Sequence, residues 1–140
     1  MYLLETDILS ELREARAHKR NRKLATWAAS VDAEAFFISA ISLQEVEIGI
    51  LEVERDGVEK AAGLRAWLTR QVLRHFHGRV LPIDAEVALR TAKLYAHEAR
   101  TITQATIGAT AQVHGLTVVT QFPDRYREQG IDAISPWEAV

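Results

Sequence analysis

The chain has 140 residues, of which 48% are hydrophobic and 26% are charged. This length suits a single domain, and the composition excludes an intrinsically disordered chain. The net charge of −2 lacks the basic excess of a dedicated nucleic-acid binder, and the absence of cysteine excludes disulfides and thiolate zinc sites. Without a bilayer-length apolar run or a signal-peptide pattern, the sequence predicts a cytoplasmic protein.

The first part of the chain alternates strand and helix patterns. Tyr2–Leu4 predicts a strand, and the residues from Asp7 onward have apolar positions at helical spacing. Residues 24–29 predict a short helix, and residues 35–39 predict a buried strand. Ser42 is expected to open the helix that follows.

The middle of the chain predicts a pair of helices. Apolar positions between residues 43 and 75 recur at helical intervals, with a natural break at Asp56 and Gly57. A short strand is expected at residues 79–83. Asp84 is then a plausible cap for the next helix.

The last part predicts one helix of small residues and two strands. Thr103 is expected to cap a helix over residues 105–113, and Gly115 to end it. Residues 116–120 have the clearest strand pattern in the chain. A loop with Pro123 follows, and residues 131–134 predict a short strand at the edge of the sheet.

Strands that alternate with helices predict an α/β fold with a mostly parallel sheet covered on both faces. Ligands bind such sheets beyond the carboxyl ends of the strands. Glu5 and Asp7 follow the first strand, Glu45 lies just beyond the second, and Asp124 follows the strong late strand. Carboxylates gathered at one rim suit Mg²⁺ or Mn²⁺, which prefer oxygen ligands.

Each of these acids also has a structural alternative. The pattern from Ser42 to Glu45 is that of a capping box, so Glu45 would satisfy an amide of its own helix. Asp7 could cap the first helix, and Asp124 could belong to a turn. Glu5 continues a buried strand directly, so its carboxylate would be partly desolvated and would need a partner.

Basic residues crowd two stretches, for which a solvated surface and phosphate contact are the alternatives. The first contains Arg13, Arg16, Lys19, Arg20, Arg22 and Lys23, and the second contains Arg65, Arg70, Arg74 and Arg79.

The assembled residues resemble the PIN-domain family, specifically its VapC-like and FitB-like toxins, over nearly the whole chain. The resemblance lies in residues 1–13 (MYLLETDILSELR), residues 42–50 (SLQEVEIGI), residues 107–111 (IGATA), residues 114–120 (HGLTVVT) and the closing residues 135–138 (SPWE).

This resemblance implies a single domain with a three-layer α/β/α sandwich, a homodimer and a cognate antitoxin as partner. It also implies Mg²⁺-dependent endoribonuclease activity, although the acidic site departs from the family pattern. Glu5 stands where an aspartate is usual, Asp7 where an asparagine is usual, and Gln104 where an aspartate usually opens the small-residue helix. Phe122 stands where an acid or asparagine is usual, whereas Glu45 is kept.

The resemblance therefore suggests two functions: an RNA-cleaving toxin with weakened activity, or an inactive relative that binds an antitoxin-like partner or nucleic acid. In the first, the expected catalytic residues are Glu5, Glu45 and Gln104, the expected Mg²⁺ or Mn²⁺ ligands are Glu5, Asp7, Glu45 and Asp124, and the expected substrate-positioning residues are Thr6, Thr120 and Arg13.

Overall fold

The structure is a computed structural model that describes residues 1–14, 21–97 and 101–138. Within these residues a parallel sheet of five strands has the order β3-β2-β1-β4-β5. The strands are β1 (Tyr2–Leu4), β2 (Phe36–Ser39), β3 (Val80–Leu81), β4 (Thr117–Val119) and β5 (Ala133–Ile134). The parallel sheet and the edge position of the last strand confirm the prediction.

Helices connect these strands as crossovers. They are α1 (Thr6–Glu14), α2 (Arg22–Ser30), α3 (Ala40–Glu54), α4 (Ala62–Trp67), α5 (Leu73–His75), α6 (Ala85–His97), α7 (Ile102–His114) and α8 (Asp124–Arg127). A π-helical turn, Leu68–Val72, joins α4 to α5. In the part of the chain that the structure covers, we find no helix with the length and apolar character needed to cross a membrane.

The two faces of the sheet carry separate apolar clusters, because successive side chains of a strand point to opposite faces. Leu3 of β1 packs in one cluster with Ile107 of α7, and Leu4 packs in the other with Ile8 of α1. All four side chains are at most 1% exposed. The expected three-layer arrangement is confirmed, and it fixes the carboxyl end of β1 between two helical layers.

Two predicted helix caps are wrong, and both true caps lie nearer the N-terminus. Helix α3 is capped by Ser39, whose Oγ accepts the Ile41 amide at 3.1 Å, so Ser42 is already helical. Helix α7 is capped by Thr101, whose Oγ1 accepts the Gln104 amide at 3.1 Å, which leaves Thr103 inside the first turn.

Other predicted helix ends are confirmed. Asp84 Oδ1 accepts the Val87 amide at 2.9 Å, and Gly115 ends α7 in the left-handed region with φ of 65°. The segment after Pro123, expected to be a loop, instead forms the short helix α8. This helix places Tyr126 in the core, where its side chain is 2% exposed.

Candidate active site

A cavity of about 190 Å³ opens at the carboxyl ends of β1 and β2, beside the first turn of α7. Its acidic and amide lining residues are Glu5, Asp7, Glu45 and Gln104; its other lining residues are Thr6, Thr101, Thr103, Ile107, Phe122 and Arg125. The structure thus brings together Glu5, Asp7 and Glu45, which the sequence placed at one rim, and adds Gln104, which the family resemblance placed in the site. It does so because parallel strands present their carboxyl ends at the same edge.

Glu5 lies in the wall of this cavity with both carboxylate oxygens engaged. Thr120 donates its hydroxyl to Oε1 at 3.0 Å, and the Tyr126 hydroxyl donates to Oε2. The residue is 8% exposed, and burial raises the pKa of its carboxyl above the ordinary value of 4.5. The hydrogen bonds from Tyr126 and Thr120 oppose that rise in pKa, because they stabilise the charged form.

The two donors to Glu5 are themselves fixed in place. The Phe122 amide donates to Thr120 Oγ1 at 3.0 Å, which leaves the Thr120 hydrogen directed toward the carboxylate. Burial, and then the neighbouring charge of Glu5, raise the pKa of the Tyr126 phenol well above its ordinary value of 10.0. Tyr126 therefore remains protonated and remains a donor.

Glu45 is held from the first turn of α1. Thr6 donates its hydroxyl to Glu45 Oε1 at 2.6 Å, and Thr6 Oγ1 also lies 2.9 Å from Ser42 Oγ. Ser42 is fully buried, so this contact is a fixed part of the packing between α1 and α3. The capping-box alternative for Glu45 is wrong, because its carboxylate contacts Thr6 of another helix and Ser39 caps α3.

Two predicted site residues lie elsewhere. Asp124 is not among the residues that line the cavity; its side chain is 85% exposed and its Oδ1 lies 3.4 Å from Arg127 Nη1. Arg13 extends over the Trp67 ring, with 5.9 Å between the guanidinium carbon and the ring centroid. The other two predicted positioning residues are Thr6, which lines the cavity, and Thr120, which contacts Glu5 as described.

The sequence reasoning missed Tyr126 and Arg125. Arg125 lines the cavity, stacks over the exposed Phe122 ring at 4.6 Å, and lowers the pKa of Glu5 by its charge. The i, i+4 spacing of Phe122 and Tyr126 around Pro123 is the signal that could have indicated a helical turn here. Only the fold could show that this turn faces Glu5.

The family resemblance implies Mg²⁺, an ion that prefers oxygen ligands in near-octahedral geometry. Among the described residues, no three His, Asp or Glu side chains are grouped as in a preformed metal site. Mg²⁺ nevertheless keeps several waters and is usually bound through one or two carboxylates together with substrate phosphates. Asp7 and Glu45, with the Gln104 amide beside them, fit such a solvated site.

A second and larger cavity of about 960 Å³ forms a groove between α1, α2 and the helical segment 62–76. Its lining includes apolar Leu9, Leu12, Trp67 and Phe76 and the cationic Arg13, Arg70 and Arg74. Part of each predicted basic stretch therefore lines this groove. Arg16, Lys19 and Arg20 fall outside the described residues, whereas Arg65 pairs with Glu47 and Glu54 and Arg79 bonds to backbone carbonyls.

Comparison with known proteins assigns the family. The family model of the PIN domain matches residues 2–128. This chain belongs to the PIN domain family. The PIN chain is 30% identical to toxin FitB of Neisseria gonorrhoeae over 142 aligned positions, which cover 98% of this chain and 99% of FitB.

Two further comparisons agree with this family. Ribonuclease VapC14 of Mycobacterium tuberculosis is 37% identical over 75 residues, which are 54% of this PIN chain and 70% of that protein. The crystal structure of FitAcB from Neisseria gonorrhoeae superposes with a TM-score of 0.84 at 26% identity and covers 99% of this chain and 100% of that one. The predicted resemblance and the PIN-like fold are confirmed.

Proposed function

We propose that this PIN protein is the toxin of a toxin–antitoxin pair and acts as a weak Mg²⁺-dependent endoribonuclease. The observation that carries the proposal is the convergence of Asp7, Glu45 and Gln104 on one cavity at the carboxyl edge of the sheet. The relationship to toxin FitB supports the role as a toxin, and the relationship to ribonuclease VapC14 supports the ribonuclease activity.

In this proposal, Asp7 and Glu45 hold the metal and Gln104 contributes a carbonyl oxygen. Bound Mg²⁺ would supply charge stabilisation for a phosphodiester that is attacked by water. Thr6 orients Glu45 through its 2.6 Å hydrogen bond, so the second carboxylate oxygen stays available to the cavity. Arg125, at the cavity wall, would pair with the RNA phosphate.

The activity is expected to be weak for two electrostatic reasons. Gln104 brings no charge to the cavity where the family usually has an aspartate, and Arg125 brings a positive charge. A charge lost or opposed at about 4 Å changes the interaction by roughly 4 kcal/mol at an effective dielectric near 20. The substrate phosphate would therefore be needed as an additional ligand before the ion binds well.

The test is RNA cleavage by the purified protein with Mg²⁺ or Mn²⁺, against the same protein in EDTA. Glu45→Gln keeps an oxygen for the Thr6 hydroxyl but removes the charge, and it should abolish cleavage. Glu52→Gln, an exposed change on the same helix, is the matched control and should cleave normally. Cleavage that persists in Glu45→Gln or in EDTA contradicts the proposal.

The engagement of Glu5 and the charge of Arg125 favour a second candidate, a non-catalytic PIN protein that keeps the fold for partner or nucleic-acid binding. This candidate predicts no cleavage with either metal and no gain when Gln104→Asp is introduced. Stoichiometric Mn²⁺ binding that requires Glu45 would count against it.

The proposed partner is the cognate antitoxin, and the 960 Å³ groove is its proposed docking site. The groove combines an apolar floor with the cations Arg13, Arg70 and Arg74, so its complement is an amphipathic segment carrying acidic residues. The partner would come from the reading frame adjacent to this gene. Co-expression followed by mass measurement in solution should give a complex, which Arg70→Glu with Arg74→Glu disrupts and exposed Arg55→Glu does not.

A homodimer in the cytoplasm is also part of the proposal. Ile48 and Leu51 are 47% and 48% exposed on the same helix, α3, and are suited to contact a second copy. Light scattering coupled to size exclusion should report twice the 15.7 kDa chain mass. Leu51→Lys should reduce it to the mass of one chain.

A further inference from the structure

An exposed aromatic ring lies in the wall of the acidic cavity, and its role as a substrate contact rests on the proposed function. Phe122 is 50% exposed and belongs to neither of the two apolar clusters found among the described residues. It is also the one aromatic side chain in the described lining of this cavity. A single apolar side chain on a surface needs no explanation. A ring outside the core and in the wall of a proposed RNA site is placed to contact the substrate.

The backbone on both sides of this ring is fixed. The Phe122 amide donates to Thr120 Oγ1 at 3.0 Å, and Thr120 is fully buried. The Phe122 carbonyl accepts the Arg125 amide at 3.3 Å, which ties the residue to the first turn of α8. Pro123 restricts the backbone further, because proline disfavours the helical region for the residue before it. The ring therefore extends from a rigid support, and little backbone ordering is needed when it binds a ligand.

Arg125 places a cation beside the ring. Its guanidinium carbon lies 4.6 Å from the Phe122 ring centroid, so the group covers one face of the ring while half of the residue's surface stays exposed. A guanidinium carries its five donors in its own plane, so stacking on a ring leaves those donors for a phosphate. The cavity wall thus combines an aromatic surface with a cation, the two features that single-stranded nucleic-acid sites share.

The charges of the cavity favour a nucleobase as the occupant of the open side of the ring. Asp7 and Glu45 in the same cavity oppose an acidic protein segment, whereas a nucleobase is neutral. When the RNA phosphate pairs with Arg125, as proposed above, the attached base comes within reach of the ring on which Arg125 stacks. A base inside a duplex is already stacked on both sides, so only an unpaired base is available to the ring.

We propose that Phe122 is a substrate-positioning residue whose ring stacks with an unpaired nucleobase next to the phosphodiester, so that the cavity selects single-stranded RNA. The ring stands where the family usually has an acid or asparagine, so the same position that lacks a metal ligand supplies this contact. Because every base has an aromatic face, the ring selects for the absence of pairing and tolerates different base sequences.

The experiment is filter binding of a short labelled oligouridylate in EDTA. Glu45→Gln is the background of every variant, since it removes one charge that would repel RNA when no metal is bound. Phe122→Leu keeps an apolar side chain but removes the aromatic face, and it should weaken binding about tenfold, as loss of one base stack does. Phe122→Trp should bind at least as tightly as the Phe122 chain. Tyr95→Leu, which removes an exposed ring from α6, is the matched control and should leave binding unchanged.

Three readouts separate base stacking from an indirect effect through Arg125 or through stability. Phe122→Leu should leave the salt dependence of binding unchanged, whereas Arg125→Gln should reduce its slope by about one phosphate contact. Phe122→Leu should still weaken binding in an Arg125→Gln background, because the ring contacts the base directly. Thermal unfolding is recorded for every variant, and the half-exposed position of Phe122 predicts that Phe122→Leu stays folded.

Unchanged RNA binding in Phe122→Leu, or a loss that disappears in the Arg125→Gln background, overturns the inference. Absence of measurable RNA binding by the Phe122 chain overturns it as well. Loss of the complex with the proposed antitoxin in Phe122→Leu, while RNA binding is unchanged, would assign the ring to a protein partner instead. The proposed nuclease is judged separately, by cleavage with metal and its dependence on Glu45, so either result can fail without the other.

Discussion

The hydrogen bond from the Tyr126 hydroxyl to Glu5 should stabilise the fold by an amount that depends on the charge of Glu5, and Tyr126→Phe tests this. Its donor bond to a buried carboxylate should contribute about 1.5–3 kcal/mol when Glu5 is charged and about 0.5–1.5 kcal/mol when Glu5 is neutral. Because the cavity lies beside Glu5, the freed carboxylate in Tyr126→Phe can turn toward water. The loss of unfolding free energy should therefore lie near the lower end of each range. We expect a loss of about 1.5 kcal/mol at about pH 8.5 and about 0.5 kcal/mol at about pH 4.

Urea unfolding at the two pH values, in EDTA, measures this difference in unfolding free energy. Thermal unfolding gives a second measurement: at about 4 °C per kcal/mol for a domain of this size, the melting temperature should fall by roughly 6 °C at the higher pH and roughly 2 °C at the lower. Tyr95→Phe is the control for loss of a hydroxyl from an exposed ring. An equal loss of stability at both pH values would refute the reasoning, because the hydrogen bond would then be insensitive to the charge of Glu5.

Three further predictions concern the charge and capping of the site. Since burial raises the pKa of Glu5 above 4.5, the folded protein binds that proton more tightly than the unfolded chain. The unfolding free energy of the original chain relative to Glu5→Gln should therefore fall as the pH rises from about 4.5 through the raised pKa, and a constant difference in urea titrations contradicts this. Thr101→Ala should cost about 1 kcal/mol in unfolding free energy by removing the cap of α7, whereas Thr103→Ala should be close to neutral. Arg125→Gln should strengthen Mn²⁺ binding about tenfold in a calorimetric titration, with exposed Arg90→Gln as the control that leaves it unchanged.

Much of the fold follows from the alternation of apolar runs and helical spacing, which set the strands and their parallel pairing. The positions of the helix starts were harder to predict, because hydroxyl residues stand close together at each one. Ser39 and Ser42 both precede or enter α3, and only the contact of Ser42 with Thr6 shows which one is free to cap. Thr101 and Thr103 pose the same ambiguity, which is resolved by the amide of Gln104.

The sequence predicts where the candidate site lies in the fold, but it does not predict the side-chain contacts within it. The order of elements puts Glu5, Asp7 and Glu45 at one edge, since each follows a parallel strand. Local sequence patterns could not predict the partner of Glu5, because Tyr126 lies 121 residues away in sequence and belongs to a helical turn that follows a proline. Desolvation did indicate that Glu5 needed a partner, and the structure identifies two.

The residues of β1 stabilise the fold, whereas the residue directly after β1 belongs to the cavity. Leu3 and Leu4 are buried on opposite faces and hold the sheet between its helical layers, so substitutions there act on the whole domain. The next residue, Glu5, is long enough to reach both Thr120 and Tyr126, and this reach keeps its carboxylate within the wall of the cavity. The side chains that hold this carboxylate lie beyond the strand ends, so substitutions there change the cavity while the apolar clusters, and with them the PIN fold, stay the same.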